Sequence, residues 1–408
     1  MQDSHRQLTR LLIAVFTLLQ FVILAIFGYT PYPDSEGYIL LARQCIEHDD
    51  LYPITSQLND YPFLWNIGAI NAVVFSLKLF NSVIPILVLY ALIKGTTAWF
   101  LYQTTKVMVN SKVAFITLLL YILYPANYGE STSTLSELPF MFFCMLALWL
   151  VINRKLYIMG GIMLAIANWF RPMAIVFLLA LLIYLRFTNR KTLRPLVGYI
   201  AMIAVIGSLC YLRTGLFLYQ AKSGWMNLAV KTYESGQQDE WKINPNTIRD
   251  HIDWNVSQKD SAWKHMYIEW IMKHPGDYIR RMPDKLFRTY ISDNVNMCTF
   301  IPNKNKKEYM YEEISMPTLV HHFPNYSPVQ WFTLLNLLYY FCLLLTAFYS
   351  IRYYQKETYL LPICIIGIGT VILLMVGHGE SRFHVPFMPF IIILSALLIN
   401  KKIWRRMG

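Results

Sequence analysis

The chain is built from apolar blocks of roughly 15–22 residues, at about 11–29, 84–105, 113–125, 138–152, 156–170, 173–187, 195–213, 329–350, 357–377 and 385–400. A helix rises about 1.5 Å per residue, and the hydrocarbon core of a bilayer is about 30 Å thick. Blocks of this length therefore read as membrane-spanning helices. Composition agrees. Over 408 residues the chain is 56% hydrophobic and only 15% charged, where soluble domains carry about 25% charged residues. A soluble globular fold is excluded. The expected class is an all-α polytopic membrane protein with about ten transmembrane helices.

The formal net charge is +12, but it does not point to nucleic acid. Excess Lys and Arg is expected in the short cytoplasmic loops of membrane proteins. The segments "HRQLTR", "KVMVNSK", "NRK", "RFTNRKTLR", "IRYYQKE" and "KKIWRRMG" are all basic. Ten helices with both termini cytoplasmic place every one of them inside. The first apolar run has no small-residue cleavage site after it and reads as an uncleaved signal anchor. Residues 62–80 are apolar enough for an eleventh span, but counting them would turn the later basic loops outward. They read instead as a juxtamembrane or re-entrant element on the outer face.

This parity divides the chain into a transmembrane core at 1–213, an outer-face block at 214–328 and a C-terminal group of helices at 329–408. The first outer loop is 30–83, and 125–137 and 377–384 also lie outside. The middle block is long enough for a small helical domain. It carries Trp225, Trp241, Trp254, Trp263 and Trp270, too many aromatics for a disordered linker. Its stretch "DSAWKHMYIEWIMKHPGDYIRRMPDKLFRTY" has helical apolar spacing broken at Pro275 and Pro283. The spacing predicts two or three short amphipathic helices resting on the membrane surface.

Ionisable residues beside apolar spans are costly, so each invites a functional reading. Asp34, Glu36, Glu130, Glu137, Arg171, His378, Glu380, Arg382 and His384 all map to the outer face. Asp34 follows a proline pair and could cap a helix. Glu137, or Ser136 beside it, could serve the next helix in the same way. Arg382 sits where a helix begins, the electrostatically unfavourable end for a cation, which argues for a functional role. Lys94 falls mid-span, where it could snorkel, pair with a carboxylate or line a cavity. His378 and His384 lack the spacing and companions of a zinc site. Asp34, Glu36 and Glu137 could hold a divalent cation, but neighbouring acids alone do not specify one, and no cofactor is expected. Six cysteines show no paired motif. Cys45 and Cys298 lie in polar segments and could pair, though nothing in their spacing requires it. "NVS" at 255–257 and "NYS" at 325–327 are glycosylation sequons.

Several of these segments together resemble the GT-C membrane glycosyltransferases. "PDSEGYILLA" is similar to their first-loop signature, with Asp34, Tyr38 and Ala42 in the matching places. "YPFLWNIGAI" resembles the later part of that loop, with Phe63 where a second proline is usual. "LYPANYGESTSTLSELPF" resembles the second outer loop, which ends in an acid at the start of the next helix. "GGIMLAIANWFRP" resembles the Gly-rich helix ending in Arg-Pro. "ESRFHVPFMPFIIILSALL" resembles the late Glu-x-Arg-Tyr element, with Phe383 at the Tyr position. The likeness is to the branch of protein O-mannosyltransferases and the lipid A aminoarabinose transferase. It covers most of the chain in order, with 214–328 matched only loosely.

The resemblance implies transfer of a sugar from a polyprenyl-phosphate donor to an acceptor hydroxyl or amine on a protein, lipid or polysaccharide. The expected location is a bacterial inner membrane with the site facing outward. Asp34 is the expected general base. Glu36, Tyr38, Glu137, Arg171, Glu380 and Arg382 are the expected substrate-binding set. Chemistry supports the division of labour. A polyprenyl phosphate is a good leaving group and needs positive charge where it departs, while the acceptor needs a base on the opposite side of the anomeric carbon. The competing class is a transporter or flippase of lipid-linked sugars. Transporters tend to carry internal repeats, and none is found here.

Overall fold

The computed structural model describes residues 2–53, 65–188, 193–234, 244–251, 253–302, 310–377 and 379–407. Every regular element among them is helical. The first half holds α1 (Gln2–Phe27), α2 (Pro33–Glu47), α3 (Ile67–Phe80), α4 (Ile84–Met108), α5 (Ser111–Ile122), α6 (Glu137–Ile152), α7 (Tyr157–Phe170), α8 (Ala174–Phe187) and α9 (Arg194–Thr214). The middle block holds α10 (Ser223–Glu234), α11 (Val256–Lys273), α12 (Pro275–Arg280), α13 (Met282–Tyr290), α14 (Met310–Glu313) and α15 (Met316–His322). The chain closes with α16 (Pro328–Ser350), α17 (Lys356–Val376) and α18 (Met388–Met407).

Among the described residues, six stretches are long and apolar enough to cross a membrane: Arg6–Phe27, Ile84–Met108, Arg194–Thr214, Pro328–Tyr353, Glu357–Val376 and Ser381–Lys401. They leave large apolar side chains outward, such as Leu18 on α1 at 61% exposure and Phe348 on α16 at 76%. Water does not tolerate such faces over whole helices, and lipid does. All ten expected blocks are helical, but α5, α6, α7 and α8 are only 12, 16, 14 and 14 residues long. Fourteen residues reach about 21 Å, short of the hydrocarbon thickness. The reason is local. Pro172 holds Arg171 in an extended conformation and ends α7 early, and α6 is preceded by two 3-10 turns from which it bends by 112°.

Those turns, Pro125–Tyr128 and Glu130–Thr132, carry the loop at 125–136 down between the helices rather than out into solvent. Ser131, Thr132, Ser133 and Thr134 are all buried. Hydroxyl contacts hold the loop: Thr132 Oγ1 lies 2.9 Å from Thr30 Oγ1 and 2.8 Å from Thr299 Oγ1. Gly129 permits this approach, since a Cβ there would stand 1.9 Å from the Asn296 carbonyl oxygen. Helix α3 is a 14-residue element packed on α2, α4 and α7. The part of 62–80 before residue 65 lies outside the described residues.

The middle block forms two groups. Helices α10 and α11 close over the 3-10 turn Pro245–Asp250, with Trp263 fully buried and its Nε1 donating to the Pro245 carbonyl at 3.0 Å. The three helices α11, α12 and α13 match the breaks expected at Pro275 and Pro283. Helix α13 and the following 3-10 turn Val295–Phe300 pack against α17 and α16, and Tyr278 OH, from α12, donates to the Met375 carbonyl at 3.3 Å. Both sequons have a structural explanation. Asn255 caps α11 and Ser327 caps α16, each in a capping box. Cys45 and Cys298 are both buried, and no disulfide joins them.

Close packing of α7 on α9 depends on two small residues. A Cβ on Gly161 would lie 1.9 Å from the Pro195 carbonyl oxygen, and one on Gly198 would lie 2.0 Å from that of Ile158. Small residues let membrane helices approach this closely. Gly161→Val is expected to cost at least about 1–3 kcal/mol by overpacking, because backbone cannot yield as a side chain does. Gly224→Ala, with nothing within 4 Å, should change stability by less than about 0.5 kcal/mol. Thermal melting of both variants in detergent checks the contrast.

Candidate functional site

Four segments far apart in the chain meet at one place: the start of α2, the start of α6, the end of α7, and the 3-10 segment Ser381–Phe387 that leads into α18. Pro33 starts α2, and Tyr32 rather than Asp34 occupies its cap position with no side-chain capping bond. Asp34 is left to face Arg382, whose Nη1 donates to Asp34 Oδ2 at 2.5 Å. Arg382 Nε donates to Glu380 Oε2 at 2.8 Å. One guanidinium thus bridges two carboxylates. Deeper, Arg171 Nη1 meets Glu137 Oε1 at 2.6 Å.

The ring of Phe383 joins the two arginines, with Arg171 5.5 Å and Arg382 5.8 Å from its centroid. Such contacts contribute about 0.5–2 kcal/mol each, and they fix where the positive charge sits. Gly379, before Glu380, has φ +79°, and a Cβ there would lie 3.1 Å from the Cα of Lys285. Glycine is required for the loop to lie this close to α13.

The second carboxylate is wired back to the first loop. Asn66 donates to Tyr38 OH at 2.8 Å and approaches Ser136 Oγ at 3.4 Å, and Ser136 Oγ stands 3.4 Å from Glu137 Oε2. Burial, reinforced by the negative charge of Asp34, pushes the Tyr38 phenol up to about 12. It stays protonated at neutral pH and serves as a hydrogen-bonding group, not a base. Trp65 packs edge-on against it at 5.5 Å between ring centroids.

Exposure separates the groups. The side chains of Asp34 and Glu380 are 32% and 39% exposed, whereas Glu137 and Arg171 are 9% and 10%. A ligand can therefore reach Asp34, Glu380 and Arg382 directly, with Glu137 and Arg171 beneath. Behind them lies a cavity of about 10 Å³ lined by Glu130, Glu137, Asn296, Arg382 and Val385 among others. It has room for about one water, so any larger ligand would approach from the exposed side.

The structure brings Asp34, Tyr38, Glu137, Arg171, Glu380 and Arg382 together. It sets Glu36 aside: its Oε1 accepts from Tyr29 OH at 2.8 Å. Glu130 also stands apart, in a buried ion pair with Lys94, which further donates to Asn127 Oδ1 at 2.9 Å. Lys94 therefore pairs inside the protein instead of snorkelling. His378 lies outside the described residues, as does Phe63. Asn66 and Asp293 gave no spacing signal in the sequence. No group of three His, Cys, Asp or Glu side chains among the described residues could hold a metal ion. Within the site, guanidinium groups already face Asp34 and Glu137. No known protein-family model matches the chain, and no curated protein matches it.

Proposed function

We propose that the protein is a membrane glycosyltransferase of the GT-C type, with ten spans and both termini cytoplasmic. It transfers a sugar from a polyprenyl-phosphate donor to an acceptor hydroxyl or amine at the outer face of a bacterial inner membrane. The observation that carries this reading is the Asp34–Arg382–Glu380 bridge, half-open to solvent and backed by Arg171 and Glu137. The arginines are suited to a phosphate leaving group, where charge grows as the glycosidic bond breaks. Guanidinium groups also match phosphate oxygens in a two-pronged geometry.

The resting ion pair gives the mechanism an order of events. A donor phosphate competes with Asp34 for Arg382. Once the phosphate takes the guanidinium, the Asp34 carboxylate is released and can accept the acceptor's proton. The acceptor oxygen or nitrogen attacks the anomeric carbon, the carbon–oxygen bond to phosphate breaks, and polyprenyl phosphate leaves with the bonding electrons. Attack opposite the leaving group gives inversion. Glu137, held by Arg171, and Tyr38 orient the sugar or acceptor hydroxyls.

Detergent-solubilised protein with synthetic polyprenyl-phosphate sugars tests this directly. Release of polyprenyl phosphate is expected. Movement of intact donor across vesicles without cleavage would instead make the protein a transporter. Asp34→Asn should lower turnover by about 10²–10⁴-fold, the usual contribution of a positioned base, while donor binding persists. Wild-type turnover by this variant would remove Asp34 as the base.

A further inference from the structure

Asp293, between α13 and the turn Val295–Phe300, faces His384, two residues beyond Arg382. Their side chains are 1% and 0% exposed. His384 Nδ1 lies 2.7 Å from the Thr289 carbonyl oxygen. A carbonyl only accepts, so Nδ1 carries the hydrogen and Nε2 of the neutral ring holds a lone pair. That nitrogen stands 3.6 Å from Asp293 Oδ1, and neither atom has a hydrogen-bond partner. A carboxylate facing a lone pair in a buried site is doubly unfavourable. One proton between them turns the same geometry into a hydrogen bond.

We propose that Asp293 and His384 hold one proton between them, and that this proton fixes the segment carrying Arg382. The His384 ring cannot easily turn away, because Tyr290 lies 5.5 Å and Tyr340 5.0 Å from it by ring centroids. The ionisable groups facing the pair are these two phenols, from α13 and α16, with Lys94 from α4, Tyr121 from α5 and Glu130 from the loop at 125–136. Lys94, Tyr121, Glu130 and Asp293 line a common cavity of about 10 Å³. Lys94 is the only cation among them and is committed to Glu130, so it offsets one of two buried acids. A retained proton offsets the other. His384 and Asp293 are positioning residues that act through Arg382.

The proton has a pH signature. Burial pushes the Asp293 carboxyl up to about 7, with Lys94 opposing, against about 3.9 in an unfolded chain. An unfolded His384 holds a proton up to about 6.5, so between about 4 and about 6.5 both states carry one proton on the pair and its contribution to stability changes little. Above that the folded pair keeps its proton up to about 7, so stability falls as pH rises through about 7 and then levels off. Release of the proton should also loosen Arg382 and weaken phosphate binding.

Full-length protein in detergent is titrated from about pH 5 to about pH 8.5, reading the infrared band of protonated carboxyl groups, the melting temperature and the affinity for farnesyl phosphate. In the wild type a protonated-carboxyl band should disappear over this range, with affinity falling about tenfold, or about 1.4 kcal/mol. In Asp293→Asn the carboxamide donates permanently to Nε2. That band should be missing, and the affinity ratio across the range should shrink to within about twofold. His384→Asn, which removes the acceptor, should shift the same band and assigns it if the first variant does not accumulate. A wild-type band that does not titrate, or one that neither substitution alters, overturns the shared proton. The link to Arg382 rests on the phosphate-donor reading. If the band titrates but farnesyl phosphate binds at no pH, that link and the proposed donor fall while the shared proton stands.

Discussion

Arg382→Ala is expected to abolish transfer while the protein still folds. The two statements have different physical origins. Removing the guanidinium deletes the positive charge proposed for the departing phosphate, and loss of one such group in a preorganised site costs about 10²–10³-fold or more in rate. The same change removes the guanidinium from beside Asp34 and Glu380. At 32% and 39% exposure water can solvate them, so the melting temperature should move little. Arg382→Lys tests geometry separately from charge. One ammonium cannot span Asp34 and Glu380 as the Nη1 and Nε pair does, so it should restore only part of the activity. Turnover with a polyprenyl-phosphate sugar, measured beside thermal melting, decides. A variant active at wild-type rates would remove Arg382 from the mechanism.

Lys94→Met is expected to do the opposite, striking stability first. The Lys94 side chain is 2% exposed and Glu130 11%. Removing the cation leaves Glu130 buried without a partner and brings Asp293 no compensating charge. Breaking a buried pair from one side costs about 3–5 kcal/mol. The double substitution Lys94→Met, Glu130→Gln removes both charges and should recover much of that loss, as coupled neighbours do. Melting temperatures of the two single variants and the double variant complete the cycle. Additive losses would mean that the pair does not act as a unit.

These two cases show what the sequence could reveal. The acids and arginines of the site were legible because each breaks an apolar pattern near a helix end, where ionisable groups are costly. Counting basic loops then gathered them on one face. Pairing was not legible. Nothing in the linear order says that Asp34 meets Arg382 while Glu137 meets Arg171, because that depends on how four helix ends are rotated. Lys94 was visible as a mid-span cation, but its partner lies in a loop expected to protrude, and the burial of Ser131 to Thr134 turns that loop inward. Asp293 sits in a polar stretch where an acid needs no explanation. Only its enclosure by α4, α13, α16 and the segment carrying His384 makes it unusual. Helix ends were legible, since the expected runs at 138–152, 156–170 and 173–187 match α6, α7 and α8 to within a residue. What the apolar pattern did not convey is that helices this short fall below the usual spanning length.

The contact between Asp34 and Arg382 joins residues 348 positions apart, and the threonine hydroxyls at 30, 132 and 299 are nearly as widely spaced. During synthesis the first loop emerges long before its partners exist. Its carboxylates and hydroxyls must wait, solvated, while most of the chain is made and threaded into the bilayer. Contacts of such long range form late. The Asp34–Arg382 bridge therefore closes last, when the segment before the last helix arrives, although Glu137 and Arg171 can pair earlier. A chain truncated before Ser381 would insert its earlier helices and still possess no site, whereas a separately expressed C-terminal fragment beginning near residue 329 could complete it in trans.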